Sequence, residues 1–447
     1  NKKDAFNYLK PIQQLLWQGK NVEAQQMLSQ HFVSEGKGSG LGNGKADRYG
    51  CYQTLGDLLI DWQDTVGAVS NYQRSLHLDK ALSFTSWTRN NIRYTQEVIV
   101  SAPSQQIVIR LRSSETGALN FSARLHRKER ASIAAMETNG IAMTGQLEGG
   151  DGTDGIRYAA AMKARAIGGE WQITGDRIIV KNATECLLYI RAATDMNWPA
   201  VQQRGEDPFV KIKNEFTTQG LQNWEPLVKD HESDFLSFYN RCRLQLNDKK
   251  VTSRDQQFLS DRLDSFYAGK PDPSLVALYF NFGRYLLISS SREGNLPANL
   301  QGLWAEEYQT PWNGDYHINI NLQMNYWLAN ATNLPAIQEP LFRLIEQMAE
   351  YGKTTAWDYY RSKGWVAHVI YNPWGFTAPG EGADWGSTLT GGAWLATHLL
   401  DYYEFYRDTS ILHRYYPILK NAAQSKQSSA DYQCRQSIGK SQRKLQR

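Results

Sequence analysis

The apolar residues of this chain change their period twice, and that switching limits the fold more than any other feature. Over 5–32 they recur at helical spacing, through Phe6, Leu9, Ile12, Leu15 and Leu16, then Val22, Ala24, Met27 and Leu28. From Tyr52 to about Ala193 the period falls to two. Ile92, Tyr94, Val98 and Val100 share one face of a run, and 106–111, 119–125, 177–180 and 186–190 are further β-rich runs. Short strands separated by Gly, Asn and Ser turns predict an antiparallel β-sandwich. Helical spacing returns near Pro208, with helices expected over 207–220 and 224–243, read as a linker. Beyond Asp255 the expected helices are 274–290, 319–333, 338–360, 390–406 and 410–423, with Ser274 as an N-cap after Pro273. Paired helices joined by loops rich in Trp, Gly and Asn predict an α-helical toroid. No internal repeat period points to a solenoid.

The chain divides accordingly into 1–203, a sandwich with leading helices; 204–254, the linker; 255–423, the toroid; and 424–447. At 424 the amphipathic pattern stops inside a helix, and Gln, Ser, Lys and Arg follow with no apolar face. This stretch is expected to be a disordered or aberrant tail. It also explains the net charge of +4: the tail carries six basic residues against Asp431, and the other 423 residues sum to −1. A neutral body gives no electrostatic case for a nucleic-acid partner. There is no apolar run long enough for a membrane span. The first residues, Asn1-Lys2-Lys3-Asp4, lack an initiator Met and a signal peptide's apolar core, so the start is expected to be incomplete and the compartment, secreted or periplasmic included, stays open. Cys51, Cys186, Cys242 and Cys434 are scattered without a CxxC pair and are read as isolated thiols. No phosphate loop, nucleophile elbow or metalloprotease motif is present, and the reading calls for no metal and no cofactor.

The aromatics are more informative. Eight of the 14 Trp lie between Trp304 and Trp394, among Asn, His and Gly. Flat rings stack on the C–H face of a pyranose and amides bind its hydroxyls, so this composition points to a sugar cleft. The densest block runs from Trp312 to Trp327. Within it His317, Asn319 and Asn321 alternate, and an extended backbone would aim all three the same way. Two neighbouring Asn amides can hold a carboxylate and a water, or sugar hydroxyls. A second block spans 367–395. There Gly391-Gly392 would let backbone approach a ligand, and Glu381 and Asp384 read as solvated loop charges. A glycosidase needs two carboxylates, and the sequence does not place them.

These blocks resemble glycoside hydrolase family 95, the inverting α-L-fucosidases that cut terminal 1,2-linked fucose. The resemblance runs from Tyr52-Gln53-Thr54-Leu55-Gly56-Asp57-Leu58 through Gly283-Arg284-Tyr285-Leu286-Leu287 and Leu296-Pro297-Ala298-Asn299-Leu300-Gln301-Gly302 to the His317 block and Thr390-Gly391-Gly392-Ala393-Trp394. It implies a multidomain β plus α architecture: an N-terminal antiparallel β-sandwich, a helical linker and an (α/α)6 barrel, here partial. It implies that Asn319 and Asn321 assist a carboxylate in activating water, that His317 contacts sugar, and that Trp394 stacks on it. Trp374 and Trp312 are taken as further sugar contacts. The substrate implied is a fucosylated oligosaccharide or glycan. The family's general acid and base are not found, so this chain is expected to be inactive. An α-L-galactosidase or a non-catalytic fucose- or galactose-binding fragment are the alternatives. A disaccharide phosphorylase would need a basic phosphate site, and none flanks His317.

Overall fold

The computed structural model describes residues 1–39, 49–137, 139–150, 152–246 and 256–425. Two helices, α1 (Phe6–Trp17) and α2 (Asn21–His31), come first. The period-two region then forms β1 (Asp57–Trp62), β2 (Val69–His77), β3 (Leu82–Arg89), β4 (Ile92–Ser101), β5 (Gln106–Ser113) and β6 (Leu119–His126). It continues with β7 (Ser132–Met136), β8 (Gly140–Glu148), β9 (Asp154–Ile167), β10 (Glu170–Thr174), β11 (Arg177–Ala183) and β12 (Glu185–Thr194). One sheet orders its strands β1-β6-β11-β10, the other β2-β3-β4-β5-β12-β9-β8-β7. The neighbours pair antiparallel. Phe121, Ala123, Ile178 and Val180 of the small sheet meet Leu111, Met162 and Leu188 of the large one in the space between them. This is the sandwich that the alternation predicts.

The large sheet is covered on its other face too. There α3 (Pro208–Gln219) and α4 (Trp224–Tyr239) bury Ile212, Phe216, Trp224 and Leu227 against Val108, Ala159, Leu187 and Tyr189. A strand covered on both sides needs apolar residues at every position, which accounts for the unbroken 186–190 run. The linker helices thus serve as a third layer. Asp207 caps α3 by accepting from the amides of Phe209 (3.0 Å) and Val210 (3.1 Å), with Pro208 in the first turn. Arg191, wholly buried on β12, reaches Glu215 (3.2 Å) and Gln219 on α3.

The rest is helical: α5 (Leu259–Tyr267), α6 (Pro273–Ser290), α7 (Asn321–Ala331), α8 (Glu339–Tyr360), α9 (Ala383–Gly386), α10 (Gly391–Tyr406) and a helix over 409–425. Leu341, Leu344, Ile345 and Met348 of α8 pack with Leu395 and Leu399 of α10, Tyr326 of α7 and Tyr415. The short α5 and α9 were not foreseen. The cap of α6 is Asp272, not Ser274: its carboxylate accepts from the Leu275 amide at 3.0 Å and pairs with buried Arg262. Pro273 takes the first helical position, which leaves the residue before it to cap. The final helix runs on through Gln424 and Ser425, past the expected break; 426–447, the rest of the expected tail, lie outside the described residues. Although α1 and α2 lead into the sandwich, they dock on α8, where Ala5, Ile12, Ala24 and Phe32 surround Tyr359 and Ala378. Cys51, Cys186 and Cys242 form no disulfide among the described residues, and Cys434 lies outside them. Among the described residues no helix is long and apolar enough to cross a membrane, and no side-chain cluster could hold a metal.

Two arginines of α6 and its exit lock α4 to the helical part. Arg284 is fully buried and donates to the carbonyls of Tyr239 (2.9 Å), Phe238 (3.2 Å) and Cys242 at the C-terminus of α4. No carboxylate pairs with it among the described residues; the carbonyl dipoles of the helix end carry the compensation. Arg292 pairs with both oxygens of Asp234 at 2.6 Å and lies over the Phe238 ring. Replacing Arg284 by Met removes a donor from the carbonyls of Phe238, Tyr239 and Cys242, of which only that of Phe238 keeps the Arg241 amide. Denaturant titration of Arg284→Met should show a loss of about 2–4 kcal/mol; an unchanged midpoint would refute this role.

Candidate functional site

Between the helical rim and the chain's early segment lies a cavity of about 400 Å³, lined by Ser39, Trp312, Asn313, Asp315, His317, Asn319, Val369, Ile370, Glu381 and Trp385. Its central wall is an extended strip. Here β13 (Tyr316–His317) pairs antiparallel with β14 (Ile370–Tyr371), and the Ile318 amide donates to the Val369 carbonyl at 2.7 Å. Alternation along this strip sends Tyr316 and Ile318 into the core and Asp315, His317 and Asn319 to the cavity. The Tyr316 hydroxyl meets that of Tyr52 at 2.7 Å and donates to the Pro297 carbonyl at 3.1 Å, which anchors the core side.

The turn before the strip is unusual. Trp312, Asn313 and Gly314 all have positive φ, at 50°, 58° and 63°. For a bulky Trp the left-handed region costs on the order of 1–3 kcal/mol, and the neighbours hold it there. The Thr310 hydroxyl donates to the Tyr52 carbonyl (2.7 Å), the Tyr52 amide to the Asn313 carbonyl (2.9 Å), and the Asn313 amide group to the Ser39 carbonyl (2.9 Å). A Cβ at Gly314 would come within 2.9 Å of Tyr52. The outcome is that Trp312, 66% exposed, stands up as an indole wall. Trp385, from α9, gives a second.

Two carboxyls face the cavity. Glu381 accepts from the Ser39 amide at 3.1 Å and from the Ser39 hydroxyl, a tie across 342 residues of sequence. The expectation of a solvated loop charge holds for Asp384, which is exposed, but not for Glu381, which is half-buried and held. Asp315 is only 3% exposed. Burial, then the charge of Glu381, raise its pKa well above the ordinary carboxylate range; the Tyr49 hydroxyl and Asn313 pull the other way. Burial lowers the pKa of His317, so its imidazole is neutral near pH 7.

Of the residues singled out in the sequence, Trp312, His317 and Asn319 meet at the cavity, whereas Asn321, Trp374 and Trp394 do not line it. Asn321 departs because the extended backbone ends at Ile320 and α7 begins. Trp394 is partly exposed on α10, and Trp374 lies over Gly50. The Gly391-Gly392 pair serves packing: a Cβ at Gly391 would fall 1.9 Å from the His368 carbonyl oxygen and one at Gly392 2.4 Å from Trp365. His368 is buried, its pKa pushed down to about 4, and bridges the Thr377 carbonyl and Tyr360 hydroxyl, each at 2.8 Å. Sequence reasoning missed Asp315, Ser39 and Trp385. One more step of the same alternation, from 317 back to 315, would have found the first.

Residues 223–429 match the glycosyl hydrolase family 95 catalytic domain, and residues 1–198 the glycosyl hydrolase family 65 N-terminal domain. The chain is 32% identical over 400 residues to "Alpha-L-fucosidase 2" of Arabidopsis thaliana, covering 83% of this chain and 47% of that protein. It is 31% identical over 405 residues to "Probable alpha-fucosidase A" of Aspergillus niger, covering 86% and 50%. The chain thus spans about half the length of the curated relatives it matches. A solved structure titled "Putative kojibiose phosphorylase from human microbiome" superposes with a TM-score of 0.58 at 14% identity, over 84% of this chain and 49% of that one, a likeness of fold.

The raised pKa of Asp315 has a consequence for stability. The folded state holds this proton more tightly than the unfolded chain, so the benefit is present in acid and fades as pH climbs from 3.8 through the raised value. Asp315→Asn cannot ionise. Its melting temperature should therefore gain on the wild type steadily as pH rises; a difference that does not vary with pH would contradict this.

Proposed function

Because the chain belongs to glycoside hydrolase family 95, we propose that its cavity is the subsite for a terminal α-L-fucose in 1,2 linkage, removed with inversion. The observation that carries this is the meeting of His317, Asn319 and two indoles on one cavity of about 400 Å³, roomy enough to admit a hexose. The neutral imidazole of His317 can both donate to and accept from sugar hydroxyls. Trp312 and Trp385 offer faces to the C–H side of the ring. Inversion places a water between the sugar and a carboxylate base, and amides fix its line of attack. Asn319 takes the substrate side of that arrangement. Asn321, at the first residue of α7 and off the cavity lining, takes the carboxylate side. Trp394 and Trp374, both partly exposed, are assigned to sugar units beyond the fucose.

A second reading, sugar binding without turnover, is favoured by the state of the two cavity carboxyls. Burial disfavours the charged form of Asp315, and Glu381 is held by Ser39, so neither stands ready to activate water. We assign the acid and base of hydrolysis to residues other than these. Calorimetric titration of the 447-residue chain with L-fucose should show saturable binding. Asn319→Ala should weaken it about tenfold. 2′-Fucosyllactose should stay intact in the same preparation; released fucose would overturn the reading of binding without turnover.

A further inference from the structure

A buried arginine of the sandwich, off the cavity lining, holds both arms of the turn that lifts Trp312. Arg127 follows directly on β6. Its Nη1 donates to the carbonyls of Thr54 and Leu55, the latter at 3.0 Å. Its Nη2 donates to Gln53 Oε1 at 2.6 Å and to the Tyr308 hydroxyl at 2.7 Å. The guanidinium carbon stands 4.9 Å from the centre of the Tyr158 ring and 4.6 Å from that of Tyr308. All four acceptors are neutral oxygens, and they belong to two separate segments. The first segment is pressed onto the end of β6: a Cβ at Gly56 would come within 2.6 Å of the His126 carbonyl oxygen. It leads back to Tyr52, whose amide donates to the Asn313 carbonyl at 2.9 Å and whose carbonyl accepts from Thr310 at 2.7 Å. The second leads forward from Tyr308 to Gln309, whose amide group donates to the Asn313 side chain at 2.7 Å. The turn over 310–314 thus hangs between two segments that meet on one guanidinium.

We propose that Arg127 is a positioning residue for the sugar wall: from the sandwich, through Tyr308 and residues 52–55, it holds the left-handed turn that stands Trp312 over the cavity. This rests on the sugar-binding reading above and names the part of the sandwich on which that reading depends. A Trp at positive φ persists only where its surroundings over-determine it. Arg127 joins the restraints that flank the turn on either side. A lysine would keep the charge but lose the fork, and one ammonium does not meet four oxygens spread over two segments. Without the fork, 52–55 and 308–310 shift relative to each other and Trp312 samples other orientations. The face it offers a sugar must then be ordered at each binding event, which lowers affinity without removing any direct contact.

The test makes the same substitution at two buried arginines of the intact chain. The protein is labelled with fluorotryptophan, the fluorine resonance of residue 312 is assigned by its loss in Trp312→Phe, and L-fucose affinity is measured by calorimetry. Arg127→Lys should shift or broaden that resonance and weaken L-fucose about tenfold. Arg191→Lys, at the arginine that joins the large sheet to α3, should leave both readouts unchanged even where it lowers the melting temperature. Tyr308→Phe keeps the ring and removes only the hydroxyl; it should move the same resonance with a loss of about threefold, and it carries the test if Arg127→Lys does not fold. Combined with Trp312→Ala, Arg127→Lys should add little further loss, because it acts through that indole. A residue 312 resonance that Arg127→Lys and Tyr308→Phe leave in place, equal effects from Arg191→Lys, or fully additive losses overturn the positioning role and leave the sugar site standing. A resonance that moves as expected, with no L-fucose binding by the wild type, overturns the sugar reading and leaves the hold of Arg127 on Trp312 standing.

Discussion

The site depends on a two-residue ladder. Pairing of Tyr316 and His317 with Tyr371 and Ile370, extended by the bond from Ile318 to Val369, keeps a short backbone stretch straight between two helices. Straightness is what separates the side chains: hydroxyl-bearing Tyr316 and apolar Ile318 go to the core, and Asp315, His317 and Asn319 to the cavity. Had 315–319 been drawn into α7, the helical period would have sent the polar groups round the cylinder. The ladder is held from outside by close packing, since the glycines at 391 and 392 bring the start of α10 against 365–368.

The same economy appears at the domain junction. Arginines, two of them fully buried and one half-buried, tie the layers together beside the apolar area. Arg191 joins sheet to α3, and Arg284 and Arg292 join α4 to α6. Each meets several acceptors at once, which a planar guanidinium does and a lysine does not. The helices that the sequence marks as a linker therefore act as a rigid shim between the sandwich and the helical part.

Much of this was legible in the sequence. Period two gave the sandwich, and the 3.6 period gave α3, α4, α6, α7, α8 and α10 within a few residues. The alternation of His317 and Asn319 was legible because strip geometry is local. What could not be read was non-local. Nothing at Glu381 marks it as the partner of Ser39, and nothing at Gly391 distinguishes a close helix contact from a ligand contact. Asn321 illustrates a subtler limit: two residues of extended chain and the first of a helix share a spelling, and only the pairing with 370–371 fixes where one ends. Ser274 likewise lost the cap to Asp272 because Pro273 must sit inside the helix.

The clasp between Ser39 and Glu381 has a kinetic meaning. A cavity whose opposite walls stand 342 positions apart along the chain cannot be nucleated locally. Loop-closure entropy must be met by the intervening elements first, so this wall is completed late in assembly. A sugar seated there would bridge two stretches of chain 342 positions apart, linking occupancy of one small cleft to the joining of the early segment with the helical part.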